Sequence, residues 1–185
     1  MLAAPAAALD GSFVVLPNGS AYRGTIPLED VETYAFTEPG ILGERVPLRV
    51  SEVRLFQDDR EVPVNWSRPT EIMFPKGNYT LEYTASVKEN HLVLTFLEPS
   101  EVEIQVPPSF RVENPFLGMV SPGGAVSRGV DNGTVIHWNA TRNAEVRFYD
   151  EGRETLLGFF AQFWFVIAVV LLMPYLLTWR RKKKK

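Results

Sequence analysis

Between residues 11 and 150 apolar and polar positions alternate with a period of two, the spacing that turns one face of a strand to a core and the other to water. In "YTLEYTASV", Tyr79, Leu81, Tyr83, Ala85 and Val87 share one face, and Thr80, Glu82, Thr84 and Ser86 share the other. In "EVEIQV", Val102, Ile104 and Val106 alternate with Glu101, Glu103 and Gln105. No convincing helical stripe precedes residue 156. Turn signals are frequent: "NGS", "QDDR", "PKGN", "SPGG" and "DNGT". Asp58 and Asp59 divide "SEVRLFQ" from "REVPVNW". "VDNGT" reads as a hairpin between a strand near Ala125 and "TVIHWN", because Asn-Gly readily takes positive φ. Many short strands joined by such turns predict an all-β domain, a β-sandwich.

The pattern then changes. Residues 156–179 carry no charge, and roughly 24 residues at about 1.5 Å each make a helix of about 36 Å, enough for a hydrocarbon core of about 30 Å. Tyr175 and Trp179 at one end, and Phe159, Phe160 and Trp164 near the other, suit the headgroup level. Arg180, Arg181, Lys182, Lys183, Lys184 and Lys185 follow, whereas Asp150, Glu151, Arg153 and Glu154 precede. Cations stay on the cytoplasmic side, so residues 180–185 are expected inside and the β-domain outside, anchored in the cell membrane by a single pass. The expected organisation is a residual signal or disordered N-terminus (1–10), a sandwich (11–106), a second β-unit or a continuation of the same sandwich (107–150), a short linker (151–155), the transmembrane helix (156–179) and a basic tail (180–185). The proline pair of "VPPSFRV" motivates the boundary at 107, since Pro107 and Pro108 cannot both serve a sheet interior.

Charge sharpens this division. Six of the 19 basic residues are in the tail and all 22 acidic residues precede the span, so the outer part holds 13 basic against 22 acidic residues, a net −9. Such a surface repels nucleic acid. Cysteine is absent, which excludes disulfides, thiolate nucleophiles and cysteine zinc sites. Asn18, Asn65, Asn78, Asn132 and Asn139 each begin an Asn-X-Ser/Thr acceptor for glycosylation, where composition predicts roughly one. Multiple acceptors, an outer location and no cysteine together point to an archaeal cell surface.

"PKGNYTLEYTA" resembles the approach to strand F of immunoglobulin-like domains, where a glycine two residues before a tyrosine builds a tyrosine corner. Gly77 and Tyr79 occupy those places, which implies a Tyr79 hydroxyl bonded to nearby backbone. The order "VEIQVPPSFRV", "NPFLGMVSPGG", "TVIHWN", "EVRFYD" and an apolar span with a basic end resembles an archaeal family of C-terminally anchored surface proteins of unassigned function. That resemblance covers about the last half of the chain and implies location and architecture, with no catalytic residue.

The search for chemistry finds ordinary explanations. His91 and His137 are the two histidines, and no nucleophile elbow accompanies either. Asp58, Asp59 and Asp131 lack the spaced carboxylates of a calcium loop and read as turn residues. "SPGGAVSRG" lacks phosphate-loop spacing and reads as a turn. No enzyme, cofactor or metal is expected. Because only "EGRET" separates "EVRFYD" from the span, the β-domain lacks a flexible stalk and is expected to work close to the bilayer, as an interaction or structural module toward a membrane or envelope protein. A carbohydrate- or divalent-cation-binding surface module is the alternative.

Overall fold

The computed structural model describes residues 11–40 and 42–182, with side chains through Met173. The expected signal remnant at 1–10, the end of the tail (Lys183, Lys184, Lys185) and the side chains of Arg180, Arg181 and Lys182 lie outside the described residues. The chain is mostly β, with one C-terminal apolar helix, and divides into two units, residues 1–149 and 150–185.

The strands of the large sheet are β1 (Gly11–Val15), β2 (Ala21–Ala35), β5 (Val50–Gln57), β6 (Arg60–Val62), β7 (Asn65–Arg68), β8 (Glu71–Ser86), β9 (His91–Val106), β11 (Met119–Val120), β12 (Ala125–Arg128) and β13 (Thr134–Arg147). Two small ribbons complete the unit. β3 (Thr37–Pro39) pairs with β4 (Arg45–Pro47), and β10 (Phe110–Arg111) pairs with β14 (Tyr149–Asp150). The path through the large sheet is β11-β13-β9-β1-β2-β8-β5-β6, with β12 on β13 and β7 on β8. The β1–β9 pair is parallel and its neighbours are antiparallel, which makes the sheet mixed.

Local sequence places the turns. Asp58 and Asp59 both take positive φ, 47° and 62°, and close a two-residue hairpin in which Gln57 faces Arg60. That is the primed turn whose twist matches flanking strands. The β12–β13 hairpin brings Arg128 opposite Thr134, with Asn132 at φ 59°. Residues 134–147 therefore pair along β9 in the same sheet as residues 91–106.

The long strands do not run straight. β9 would extend about 53 Å, yet its first residue pairs with Arg147, and the Phe148 ring lies 5.0 Å from Phe110, four residues past its last. The strand must double back. The bend falls where pairing slips from Trp138↔Val102 through Thr141↔Ser100 to Asn143↔Thr95, so that residues 96–99 bulge out. β2 and β8 slip likewise between Leu28↔Tyr79 and Thr33↔Met73. There the Tyr79 hydroxyl donates to the Pro75 carbonyl at 2.8 Å across the kink. Bulges are how a sheet turns a corner. Doubling places the alternating apolar faces toward one another, and Phe13, Leu55, Ile72, Leu81, Ile104, Ile136, Trp138 and Val146 join one buried cluster. Truncating Trp138 to alanine would cost about 3–5 kcal/mol.

The second unit is α1 (Glu151–Lys182). Asp150 caps it, its Oδ1 accepting the Arg153 N–H at 2.8 Å, and Glu151 and Glu154 sit in the first turn, where the helix dipole favours carboxylates. Residues 151–155, which the sequence suggested as a linker, are consequently helical. Phe163, Trp164, Phe165 and Val166, a full turn, are all exposed, so the helix is apolar on every side. Its length and composition suffice to cross a membrane.

Candidate functional site

An open cavity of about 970 Å³ lies in the β-unit. Its floor is aromatic. Ring centroids step from Phe96 to Phe13 (6.2 Å), Phe13 to Tyr22 (6.1 Å) and Tyr22 to Tyr83 (6.1 Å), and Phe36, buried in the core, packs against Tyr83 (5.3 Å) and Tyr34 (5.1 Å). Most are tilted or edge-on, the arrangement that ring quadrupoles favour. β1, β2, β8 and β9 each contribute at least one of these rings.

One glycine makes room for the belt. Gly24 stands opposite Tyr83 on adjacent strands, and a Cβ there would meet the Tyr83 ring at 2.9 Å and Phe13 at 3.1 Å. With no side chain at 24, the Tyr83 ring lies across β2. The Tyr83 hydroxyl donates to Tyr22. Burial pushes the Tyr22 phenol up to about 12, only partly offset by that hydrogen bond, with the Tyr34 and Glu38 charges adding to the rise. Burial alone takes Tyr34 to about 12, and it raises Tyr83 well above the ordinary phenol value. All three stay neutral at physiological pH, so the floor offers apolar ring surface with uncharged hydroxyls.

The walls differ. One is the β3–β4 hairpin, held by Leu48 N–H donating to the Phe36 carbonyl at 3.0 Å. Lys88, in the turn before β9, reaches Glu38 of this hairpin at 2.6 Å. The other wall is β9 itself, which contributes every residue from 91 to 100. Glu29, Glu44 and Glu98 also reach the cavity, as does Arg45.

The two histidines alternate with the buried residues of β9 and β13, and His91 also borders the cavity. His91 Nε2 lies 2.7 Å from Glu145 Oε1, and His137 Nε2 lies 3.0 Å from Glu101 Oε1. Each imidazole thus has a cross-strand carboxylate partner. Asp58 and Asp59 are hairpin-turn residues, and "SPGG" closes a turn in which Gly124 N–H donates to the Ser121 carbonyl at 3.3 Å. Among the described residues, no group of three or more His, Asp or Glu could hold a metal ion.

The five acceptor asparagines are exposed and dispersed. Asn18 and Asn132 occupy turns, while Asn65, Asn78 and Asn139 lie on β7, β8 and β13. Two already serve the fold: Asn18 Oδ1 accepts the Ser20 N–H at 3.1 Å, and Asn78 Oδ1 accepts the Asp30 N–H at 2.9 Å. Sequence reasoning missed the cavity. Alternation put Tyr83 on an inward face, but nothing along the chain says that Phe13, Tyr22, Tyr83 and Phe96 meet.

Compared with known proteins, the chain matches a family described as "Family of unknown function (DUF5803)" over residues 10–185, a span that takes in both units. No curated protein matches it.

Proposed function

The chain belongs to this family of unknown function, and on that premise we propose that it is a non-enzymatic, single-pass membrane protein of an archaeal cell surface. Its β-domain acts outside the cell as an interaction or structural module toward a neighbouring membrane or envelope protein. One observation carries the reading: a helix apolar on every side begins at Glu151, directly after β14, and leads into six cations. Exposing such a surface to water is costly, and lipid removes that cost. The positive residues following it favour a cytoplasmic C-terminus and an outer β-domain. The absence of any spacer between β14 and α1 favours a partner near the bilayer.

The doubled sheet and the Tyr79–Pro75 clasp support an immunoglobulin-like sandwich as the finer description of the domain. The exposed positions of Asn18, Asn65, Asn78, Asn132 and Asn139 support their use as glycan acceptors. Internal engagement of the charged and hydroxyl groups around the cavity, Glu38 with Lys88 and Tyr83 with Tyr22, supports a binding role over catalysis. A carbohydrate stacked on the aromatic floor is the second reading, favoured by those rings and their neutral hydroxyls.

A chain without cysteine permits a direct test. Ser127→Cys, on exposed β12, should react with a membrane-impermeant maleimide on intact cells, and a cysteine appended after Lys185 should react only after lysis. The reverse pattern refutes the orientation. Labelling of both on intact cells refutes the single pass. In mild detergent the chain should co-purify with a defined stoichiometric membrane partner; migration as a lone species at every detergent strength refutes the interaction role.

A further inference from the structure

A loop of the β-unit, residues 114–118, holds an apolar side chain out in solvent. The six consecutive residues 115–120 carry no polar side chain. Phe116 is 83% exposed, and Pro115 and Met119 are exposed beside it. The turn that presents this ring is closed by Asn114: its Oδ1 accepts the Phe116 N–H at 3.0 Å, and its carbonyl accepts the N–H groups of Leu117 and Gly118 at 3.1 and 2.7 Å. Gly118 lies so close to the Val112 carbonyl that a Cβ there would overlap it. The loop is thus fixed by its own hydrogen bonds, with Leu117 half-buried and Phe116 in water.

The place of this loop along the chain identifies what can cover the ring. The Asn114 N–H donates to the Tyr149 hydroxyl at 3.1 Å, and Tyr149 is buried on β14, which pairs with β10 just before the loop. Two residues after Tyr149 the helix α1 begins, and five residues later its uncharged run starts at Leu156. Two extended residues reach about 7 Å and five helical ones about 7.5 Å. Tyr149 therefore stands within about 15 Å of the uncharged run whatever angle the helix takes, and the headgroup layer itself occupies about 5–8 Å of that distance. Phe159, Phe160 and Trp164 already place rings near this end of the span, where aromatic side chains favour the boundary between headgroups and acyl chains. We propose that the 114–118 loop is a second membrane contact, which sets the Phe116 ring among the lipid headgroups beside the entry of α1 and so removes the swivel that a single crossing leaves to the β-domain. The inference deepens the membrane-anchored reading given above and rests on it. A lipid surface suits the loop because the ring needs only an apolar layer there. Exposed Glu113 and the first-turn carboxylates Glu151 and Glu154 make uncharged headgroups the better surface.

The test uses the full chain in phosphatidylcholine nanodiscs, with no other protein present. Because the chain has no cysteine, a single nitroxide label can be placed through Pro115→Cys, Ser127→Cys or Ala168→Cys, and its accessibility read against oxygen, which enters lipid, and a nickel chelate, which stays in water. The label at 168, within the span, should meet oxygen and exclude nickel. The label at 115, with Phe116 intact, should be at least threefold less accessible to nickel than the label at 127 on exposed β12. Adding Phe116→Glu should return the label at 115 to the accessibility of 127, while leaving the label at 168 and the unfolding midpoint unchanged. Equal nickel access at 115 and 127, with 168 still shielded, overturns this contact and leaves the anchor standing. Nickel access at 168 refutes the anchor, and this contact falls with it. Persistent shielding at 115 in the Phe116→Glu chain overturns the proposal, as does a lowered unfolding midpoint, since the ring then belongs to the fold. Shielding at 115 that appears only in native membranes assigns the loop to a protein partner and also overturns it.

Discussion

Raising the pH should unfold the β-domain through its tyrosine floor. The phenol of Tyr22 goes from 10.0 to about 12 in the fold, chiefly through burial. Below pH 10 folded and unfolded chains both keep its proton and no stability is lost. As the pH rises past 10 the unfolded chain releases the proton while the folded chain holds it until about 12, so unfolding becomes progressively favoured. Two pH units at about 1.36 kcal/mol each amount to about 2.7 kcal/mol from Tyr22, reached in full only above pH 12, and the raised phenols of Tyr34 and Tyr83 act in the same direction. Against a domain stability of about 5–15 kcal/mol, that loss is large. The urea midpoint of the chain in nanodiscs, followed by far-ultraviolet circular dichroism from pH 8 to 12, should fall steeply above pH 10. Tyr22→Phe should give a shallower fall. The phenolate absorbance difference between wild type and Tyr22→Phe isolates this one residue. If it titrates near pH 10 while the dichroism still reads folded, the floor is wet and the account of the cavity is wrong.

Two further changes examine the supports of that floor. Tyr79→Phe removes the hydroxyl that bonds Pro75 across the β8 kink and should cost about 0.5–1.5 kcal/mol in urea unfolding without changing the m-value; no loss would mean that the clasp does not hold the bend. Gly24→Ala drives a methyl into the Tyr83 and Phe13 rings and should cost about 1–3 kcal/mol. It should also lower the pH at which the tyrosines ionise, and an unchanged titration would show that the rings do not depend on this glycine.

Much of the architecture was legible because it is local. Period-two alternation assigns which residues of β8 and β9 face inward whatever strand lies beside them, and Tyr79, Leu81, Tyr83, Ala85, Val102, Ile104 and Val106 are all buried. Asp58, Asp59 and Asn132 mark their hairpins through their positive φ angles. The uncharged run from 156 to 179 declares a helix able to span a membrane from composition and length alone. The linker at 151–155 was misread because "EGRET" looks polar. Asp150 as a cap and two first-turn carboxylates make it the start of the helix.

The sequence by itself therefore determined the strand content, the inward faces, several turns and the apolar helix, since each depends on residues a few places apart. Only the tertiary structure decided that β1 lies parallel to β9, that β9 doubles back, and that Lys88 meets Glu38 across 50 residues, His91 meets Glu145 across 54 and His137 meets Glu101 across 36. Alternation says in or out but never against whom. Strand neighbours and register are settled by the collective packing of all the apolar faces at once, and the aromatic cavity exists only after that packing is complete.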